Sequence, residues 1–246
     1  MHQSVMIRSQ YNGPPKSANG GYASGLVASG LLAEGYKGPV EVSLHVPPPL
    51  DQPLSLVVTD AVSVLMQDDV KIGTAKPTRF TLEVPALPKK PVLIGKPDNP
   101  SGKFEPFDIC FVCGNARSHG DGLCLHAEQV EGHAGLVAAK WDVHASFVGE
   151  NGNVLPEFIW SALDCPGYFA CAYGEPALLA RFAVEVLAPL SGEDGAAYVY
   201  GWSLDDPSGE HGRKRKCGTA IVNAAGEIVA KAEALWVIVD PAKIAA

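Results

Sequence analysis

The chain has 246 residues, of which 47% are hydrophobic and 19% charged, and its formal net charge is -8. This acidic balance argues against a general nucleic-acid binder, because the chain as a whole lacks the Lys and Arg surface that neutralises phosphates. No apolar run approaches the roughly 18 residues of a membrane-spanning helix, and the first residues do not form a charged-then-apolar leader, so we expect a soluble cytoplasmic protein. The six cysteines are then expected as reduced thiols and not as a disulfide framework.

The first predicted element is a glycine-rich helix in the stretch PPKSANGGYASGLVASGLLAEG, residues 14 to 35. Ala, Leu and Val recur through it, and Ser17 or Asn19 can cap its start. Each interior glycine costs roughly 1 kcal/mol relative to alanine, so the glycines need a reason. We interpret them as positions where a sheet or a second helix comes close to this helix.

Short segments with β-branched residues at every second position follow the helix and predict antiparallel strands. They cover residues 40 to 46, 54 to 67, 70 to 75 and 79 to 84. The next stretch is rich in proline, which cannot donate to a strand ladder, and residues 86 to 107 are therefore predicted to be a linker.

The second half repeats this order of elements. Strands are predicted at residues 123 to 130 and 136 to 148, a helix at 155 to 174, and further strands at 181 to 190, 196 to 204, 216 to 224 and 227 to 240. Pro14 and Pro156 each open a helical stretch, and Pro49 and Pro189 each precede a leucine at the end of the following strand.

This repetition suggests duplication of a unit made of one helix and one antiparallel sheet. Such a helix lies in the concave face of its sheet, because nothing else is available to cover it. We predict an N-terminal domain at residues 1 to 85 and a C-terminal domain at residues 108 to 246, joined by the linker at 86 to 107.

Three stretches carry a resemblance to a known family: NGGY (19 to 22), CFVCGNARSHGDGLCL (110 to 125) and ALDCPG (162 to 167). They resemble the hot dog fold of acyl-CoA thioesterases and dehydratases, in its duplicated form. The resemblance covers residues 1 to 84 and 108 to 239. It implies an α+β double hot dog, with two antiparallel sheets each wrapped around a central helix, and hydrolysis of an acyl-CoA thioester without a cofactor.

The start of the first helix is the first candidate part of a site. The resemblance places the thioester carbonyl at a helix N-terminus, where free N–H groups and the helix dipole stabilise an oxyanion. Gly20 and Gly21 offer such N–H groups without a Cβ atom in the way, and Asn19 can assist with a side-chain hydrogen bond. Many thioesterases of this fold carry His where this chain has Asn19. Glycines that serve packing or a left-handed turn are the alternative.

Asp164 is the second candidate, because it is the only carboxylate between Phe158 and Tyr173 on an element that should be buried. A buried carboxylate needs a partner or a function. The function expected for Asp164 is the orientation or deprotonation of water. Capping of turns that begin at Pro166 is the alternative. The resemblance implies a site composed of the helix start of one domain and the acid of the other. The second helix begins with the bulky LPEFIW, so one complete site per chain is expected.

The cysteines offer a candidate metal site. Cys110 and Cys113 form a Cys-x-x-Cys pair, to which Cys124 and His126 can add two zinc ligands at plausible spacing. A tight turn with buried thiols is the alternative, and we favour it, so no metal is expected. Cys165 as a nucleophile lacks a neighbouring His in the sequence.

Four consecutive cations, Arg213, Lys214, Arg215 and Lys216, form an unusual local field in an acidic chain. They can bind the phosphates of coenzyme A, and the alternative is a solvated edge strand that its charge protects from aggregation. The expected partner is an acyl-CoA, with no nucleic acid and no membrane span. Whether two chains form a homodimer is left open.

Three rival functions remain at this point. A hydratase or dehydratase of the same fold would place a histidine near the acid, for which His126, His133 and His144 are candidates. A non-catalytic acyl-CoA or lipid-binding module is favoured by Asn19 in place of His. A zinc-stabilised interaction protein is the third.

Overall fold

The computed structural model describes residues 2–99, 102, 104–193, 195–206 and 212–245. In this part of the chain there are eleven strands and three α-helices. The strands are His2–Val5 (β1), Val40–Leu44 (β2), Leu54–Thr59 (β3), Val62–Gln67 (β4), Val70–Pro77 (β5), Glu128–Gln129 (β6), Leu136–Trp141 (β7), Ala177–Val186 (β8), Ala197–Ser203 (β9), Lys214–Val222 (β10) and Ile228–Ile238 (β11). The helices are Gly20–Ala33 (α1), Pro156–Cys171 (α2) and Ala242–Ala245 (α3).

Alternating apolar residues form strands in most of the predicted places, with four differences. The stretch 54 to 67 is two strands, β3 and β4, joined by a turn at Asp60 and Ala61. Residues 79 to 84 form no strand. Of residues 123 to 130, only Glu128 and Gln129 are in a strand, whereas β1 had not been predicted.

All eleven strands belong to one sheet, in the order β1-β3-β4-β5-β2-β8-β11-β10-β9-β7-β6. At its centre β2 and β8 pair antiparallel, with Val40 opposite Val184 and Val42 opposite Phe182. The prediction of two separate sheets is corrected in this respect, because the β2–β8 hydrogen bonds join the two halves into one sheet.

The strand order repeats on the two sides of this centre. The strand after the helix lies innermost (β2 or β8), next to the last strand of its half (β5 or β11). Going outward, β4 and then β3 follow in the first half, and β10 and then β9 follow in the second half. The strand that precedes the helix, β1 or β7, lies outside them. The two halves therefore share this order of five strands, and β6 lies outside β7 without a counterpart among the described strands of the first half.

The chain enters both helices in the same way. Two residues before α1, the Ala18 N–H donates to the Pro48 carbonyl at 2.9 Å, and two residues before α2, the Val154 N–H donates to the Leu190 carbonyl at 2.9 Å. Pro48 and Leu190 thus lie in equivalent places, and the two Pro-Leu pairs that follow β2 and β8 are near this position but two residues out of register with each other.

Of the two prolines predicted to open a helix, only Pro156 does so. Pro156 is the first residue of α2, where its missing N–H costs nothing. Pro14 lies in a turn ahead of α1, which begins at Gly20 with Asn19 as its N-cap. The Asn19 side chain accepts a hydrogen bond from the Tyr22 N–H at 2.9 Å, which fixes this start.

The glycines of α1 allow close packing with α2. A Cβ atom on Gly21 would lie 2.7 Å from the Trp160 carbonyl oxygen, and one on Gly25 would lie 2.7 Å from the Glu157 Cα atom. On another side of the helix, a Cβ atom on Gly30 would lie 2.7 Å from a methyl carbon of Val58. The helix is buried on several sides, which explains the lack of charge along it.

Replacing Gly21 with alanine is expected to lower the free energy of unfolding by about 1 to 3 kcal/mol, the usual cost of overpacking. The added methyl pushes α1 from α2, which outweighs the better helix propensity of alanine. Denaturant unfolding of Gly21→Ala measures the effect. Ser29→Ala on the same helix adds no atom and is the control, with a change within about 0.5 kcal/mol. Equal stability of the two variants would show that the helices separate without cost.

The proline-rich segment packs against the sheet. Leu82 and the flanking Leu87 and Leu93 belong to an apolar cluster with Tyr200 and Trp202 of β9. The Tyr200 hydroxyl donates a hydrogen bond to the Pro88 carbonyl. Since Gly201 faces α2, this cluster lies on the sheet face opposite the helices. The residues predicted as strand 79 to 84 take part in this covering layer.

None of the helices in the described part of the chain has the length and hydropathy needed to cross a lipid bilayer.

Candidate functional site

The start of α1 meets the middle of α2 in a short network of hydrogen bonds. The Asn19 Nδ2 atom donates to Asp164 Oδ2 at 2.8 Å, and the Gly21 N–H donates to the same oxygen at 3.0 Å. The packing of α1 on α2 thus brings together residues that lie 143 and 145 positions apart. Asn19, Gly21 and Asp164, which were singled out from the sequence, are direct neighbours.

Asp164 lies inside α2, which continues through Pro166 to Cys171. The alternative in which Asp164 caps turns beginning at Pro166 is therefore wrong. Its carboxylate instead accepts a hydrogen bond from the second residue of α1. A carboxylate at a helix N-terminus also interacts favourably with the positive end of the helix dipole.

The Asp164 carboxyl is buried, with 1% of the residue exposed. Burial removes water from the carboxyl group and raises its pKa to about 7, although the hydrogen bond from the Gly21 N–H acts in the opposite direction and lowers the pKa. The nearby Cys110 raises the pKa further, and the Asn19 hydrogen bond lowers it. The second oxygen, Oδ1, is buried and has no hydrogen-bond partner among the described residues. Such an oxygen is able to take a donor from a bound molecule, and leaving it without one costs free energy.

A cavity of about 330 Å³ opens at this network. Its walls are mostly apolar and include Leu179, Phe104 and Trp236. Asn19, Gly20 and Asp164 line it as well. An apolar pocket with a few converging polar groups is typical of a small-molecule site, and its size is near the lower end of the usual range of roughly 300 to 1,000 Å³.

The two glycines differ in what their N–H groups do. The Gly21 N–H is used by Asp164. Gly20 lines the cavity, and its N–H has no acceptor among the described residues. A Cβ atom on Gly20 would lie 2.9 Å from the Leu179 Cβ atom, so this glycine also serves packing. Of the two N–H groups predicted to bind a carbonyl, only that of Gly20 is free to do so.

Three thiols line the same cavity. Cys110, Cys113 and Cys165 are buried, and their sulfur atoms all lie within 4.8 Å of one another. The Cys110 and Cys165 sulfurs are 3.9 Å apart, and the Asn19 Nδ2 atom is 3.9 Å from the Cys165 sulfur. Spacing did not group Cys165 with Cys110 and Cys113, and the only signal in the sequence is that Cys165 directly follows the candidate Asp164.

The candidate metal site that spacing suggested, with Cys124 and His126 beside Cys110 and Cys113, does not form. The Cys124 thiol instead donates to the Arg117 carbonyl at 3.6 Å, and His126 is exposed. The turn that follows Cys113 directs Cys124 away from the pair, and Arg117 holds this turn to the Asn12 side chain.

The histidines that were candidates for a dehydratase, His126, His133 and His144, do not line this cavity. His45 does, at an exposed position just after β2. Its Nε2 atom lies 3.0 Å from the Thr74 hydroxyl oxygen. Nothing in the sequence marked His45, because it stands in an ordinary alternating strand pattern.

Arg213 directly precedes β10, and the other three cations begin it. β10 lies between β9 and β11, but its pairs with β9 begin at Cys217, whereas Lys214, Arg215 and Lys216 pair with β11. The alternative of a solvated, charged edge strand therefore stays a prediction for these residues. Arg215 forms an ion pair with Glu175 at 2.8 Å. Arg213, Lys214 and Lys216 are exposed and form no ion pair with the described residues. Lys214 pairs along the sheet with Val237, which lines the cavity.

No protein-family model and no curated protein matches the sequence. Solved structures are similar over almost the whole chain. The TesB protein of Mycobacterium avium subspecies paratuberculosis matches with a TM-score of 0.58 and 15% identity, over 97% of this chain and 93% of that one. A protein of Novosphingobium aromaticivorans named as a thioesterase matches with a TM-score of 0.62 and 11% identity, over 97% and 96%.

A protein of Thermobifida fusca named as a thioesterase II matches with a TM-score of 0.57 and 16% identity, over 97% of this chain and 93% of that one. At such identities the similarity shows the fold and leaves the activity to be tested. The chain thus has the fold of these thioesterases, which confirms at the level of the fold the resemblance to hot dog proteins inferred from the sequence.

Proposed function

We propose that this protein is a double hot dog thioesterase that hydrolyses an acyl-CoA, with one composite site between its two halves. The two units are residues 1 to 85 and 108 to 246, with residues 86 to 107 between them. The repeated strand order on the two sides of the β2–β8 pair supports this duplicated layout. The fold shared with proteins named as thioesterases supports the reaction class.

One observation carries the proposal. A carboxylate from the second half, Asp164, meets the helix start of the first half at the wall of an apolar cavity. One of its oxygens is held by Asn19 and Gly21, and the other has no partner among the described residues. This arrangement fixes the orientation of the carboxylate and leaves one oxygen for a reacting molecule.

In the proposed reaction the acyl group lies in the apolar cavity, and its carbonyl oxygen accepts a hydrogen bond from the Gly20 N–H. The helix dipole and this N–H stabilise the oxyanion that forms when water attacks the carbonyl carbon. Asp164 Oδ1 orients the water and takes its proton. Collapse of the intermediate breaks the carbon–sulfur bond, and the proton passes to the leaving thiolate, which gives free coenzyme A and a carboxylic acid.

A second site, formed by the start of α2 and the middle of α1, would need a carboxylate on α1 and an N–H at the first residue of α2, and both are absent from these described helices. Counted from the helix starts, Ala28 of α1 stands where Asp164 stands on α2. The start of α2 is Leu155 and Pro156, and proline has no N–H to offer. One site per chain follows from this asymmetry.

We further propose that Arg213, Lys214 and Lys216 bind coenzyme A phosphates, with Arg215 engaged by Glu175. The triple variant with alanine at these three exposed positions is expected to raise the Kd of coenzyme A roughly tenfold. Its remaining affinity should depend less on salt, because fewer exposed charges take part. Calorimetric titration at two salt concentrations measures both effects. Lys89→Ala with Lys90→Ala, on the proline-rich segment, is the control, and an equal loss there would assign the effect to net charge alone.

The six free cysteines agree with a reducing compartment, and we propose a cytoplasmic location on this ground.

A panel of acyl-CoAs tests the proposed reaction. Release of free thiol is measured for each, together with the binding of a non-hydrolysable thioether analogue. Release of thiol with the analogue as a competitive inhibitor supports the thioesterase. Binding of the analogue without release of thiol would make the chain an acyl-CoA-binding module. Hydration of an enoyl-CoA in place of hydrolysis would favour the dehydratase, with His45 as the histidine at the cavity.

A further inference from the structure

The geometry of the three buried thiols matches that of a metal site. Four ligands at roughly 2.3 Å in a tetrahedron around zinc place sulfur atoms about 3.8 Å apart. The Cys110 and Cys165 sulfurs are 3.9 Å apart, and all three sulfurs lie within 4.8 Å of one another. A small contraction of the longer sulfur–sulfur distances completes one face of such a tetrahedron.

The local backbone fixes the position of Cys110 in a tight turn. The Gly114 N–H donates to the Cys110 carbonyl at 2.9 Å and closes a tight turn. A Cβ atom on Gly114 would lie 2.7 Å from the Cys110 nitrogen, so this turn needs glycine.

In the part of the chain that the structure describes, no buried positive charge lines the cavity at the thiol cluster to oppose a bound cation. Three thiols and the Asp164 carboxyl all line this cavity and are buried. Among the described residues that line it, His45 is the only one able to carry a positive charge, and it lies at an exposed position. Buried thiol and carboxyl groups without a counter-charge stay protonated unless a bound cation takes the place of their protons.

We propose that Cys110, Cys113 and Cys165 together bind one zinc ion, with its fourth coordination position toward the cavity. Three soft sulfur ligands select zinc over the hard cations magnesium and calcium. The ion ties the turn at residues 110 to 114 to α2, next to Asp164. It crosslinks the segment that follows the proline-rich stretch to the helix that carries the candidate base. Asp164 keeps its hydrogen bonds to Asn19 and Gly21 and is not a ligand.

Cobalt binding tests this site without reference to turnover. The full chain is purified without chelator, and its metal content is measured by mass spectrometry. The metal-free protein is then titrated with Co²⁺ under reducing conditions, and the thiolate-to-cobalt absorption in the near ultraviolet is followed. We expect one zinc or cobalt ion per chain, with an absorption that corresponds to three thiolate ligands.

The variants separate this site from the one that spacing suggests. Cys165→Ser and Cys113→Ser should each weaken cobalt binding by roughly tenfold or more, since loss of even a residue that hydrogen-bonds to a ligand lowers metal affinity by that factor. Cys124→Ser, the matched control, should bind as the wild type does. Circular dichroism verifies that each variant is folded.

Three results would each overturn the proposal: a wild-type chain without thiolate-to-cobalt absorption, unchanged binding in both Cys113→Ser and Cys165→Ser, or loss of binding in Cys124→Ser. The wild-type spectrum decides the matter by itself if a variant fails to fold. Because no acyl-CoA is used, a negative result here leaves the proposed thioesterase reaction untouched, and a failure of that reaction leaves this site untouched.

Discussion

Asp164→Asn is expected to lower turnover of the preferred acyl-CoA by roughly 10²-fold or more, the usual scale for loss of a general base. Asparagine has nearly the same shape, and its carbonyl oxygen still accepts from the Asn19 side chain and the Gly21 N–H. The variant lacks only the charge and the basic oxygen. Steady-state kinetics with free-thiol detection measure the effect, and denaturant unfolding verifies that the fold survives.

The control is Asp142→Asn, which makes the same change at an exposed position outside the cavity. It should leave turnover as in the wild type. Wild-type turnover in Asp164→Asn would reduce Asp164 to a structural cap of α1. In that case the composite site is lost, and the glycines of α1 are packing residues only.

Gly20→Pro is expected to lower kcat by roughly 10²- to 10³-fold relative to Gly20→Ala, the scale found for loss of one oxyanion donor. Proline is well suited to the first position of a helix and removes only the N–H there. Asn19 has φ -57 and ψ 134, an extended conformation that accepts a following proline. The comparison therefore removes the proposed carbonyl donor and keeps the helix.

Gly20→Ala is the matched partner in this comparison, because both variants place a Cβ atom against Leu179, which lies 2.9 Å away. Any loss that comes from crowding is shared by the two, and the remaining difference belongs to the N–H group. Equal kcat values in the two variants would mean that the carbonyl oxygen is bound elsewhere.

The hydrophobic pattern predicted the types of most elements, because period-two alternation and a glycine-rich apolar stretch are local properties. The start of α1 at Asn19 was one of the two predicted caps, since a side-chain oxygen that reaches the Tyr22 N–H needs only nearby backbone. Asp164 was found for an equally local reason, as a single carboxylate on an apolar helix. Its burial followed from the residues around it.

Contacts between distant parts of the chain were decided only by the tertiary structure. The sequence contains no sign that β2 and β8 pair, since the backbone hydrogen bonds of an edge strand accept any partner strand. The use of the Gly21 N–H by Asp164 depends on how closely two helices approach, and that distance is set by side chains from both.

The same reason explains the cysteines. Spacing suggested Cys124 and His126 as partners of Cys110 and Cys113, whereas the fold brings in Cys165, which is 55 positions from Cys110. A ligand set is defined by where side chains point in space. Residues on one turn and residues on a distant helix become neighbours only when the apolar faces of that turn and helix are buried together in one core.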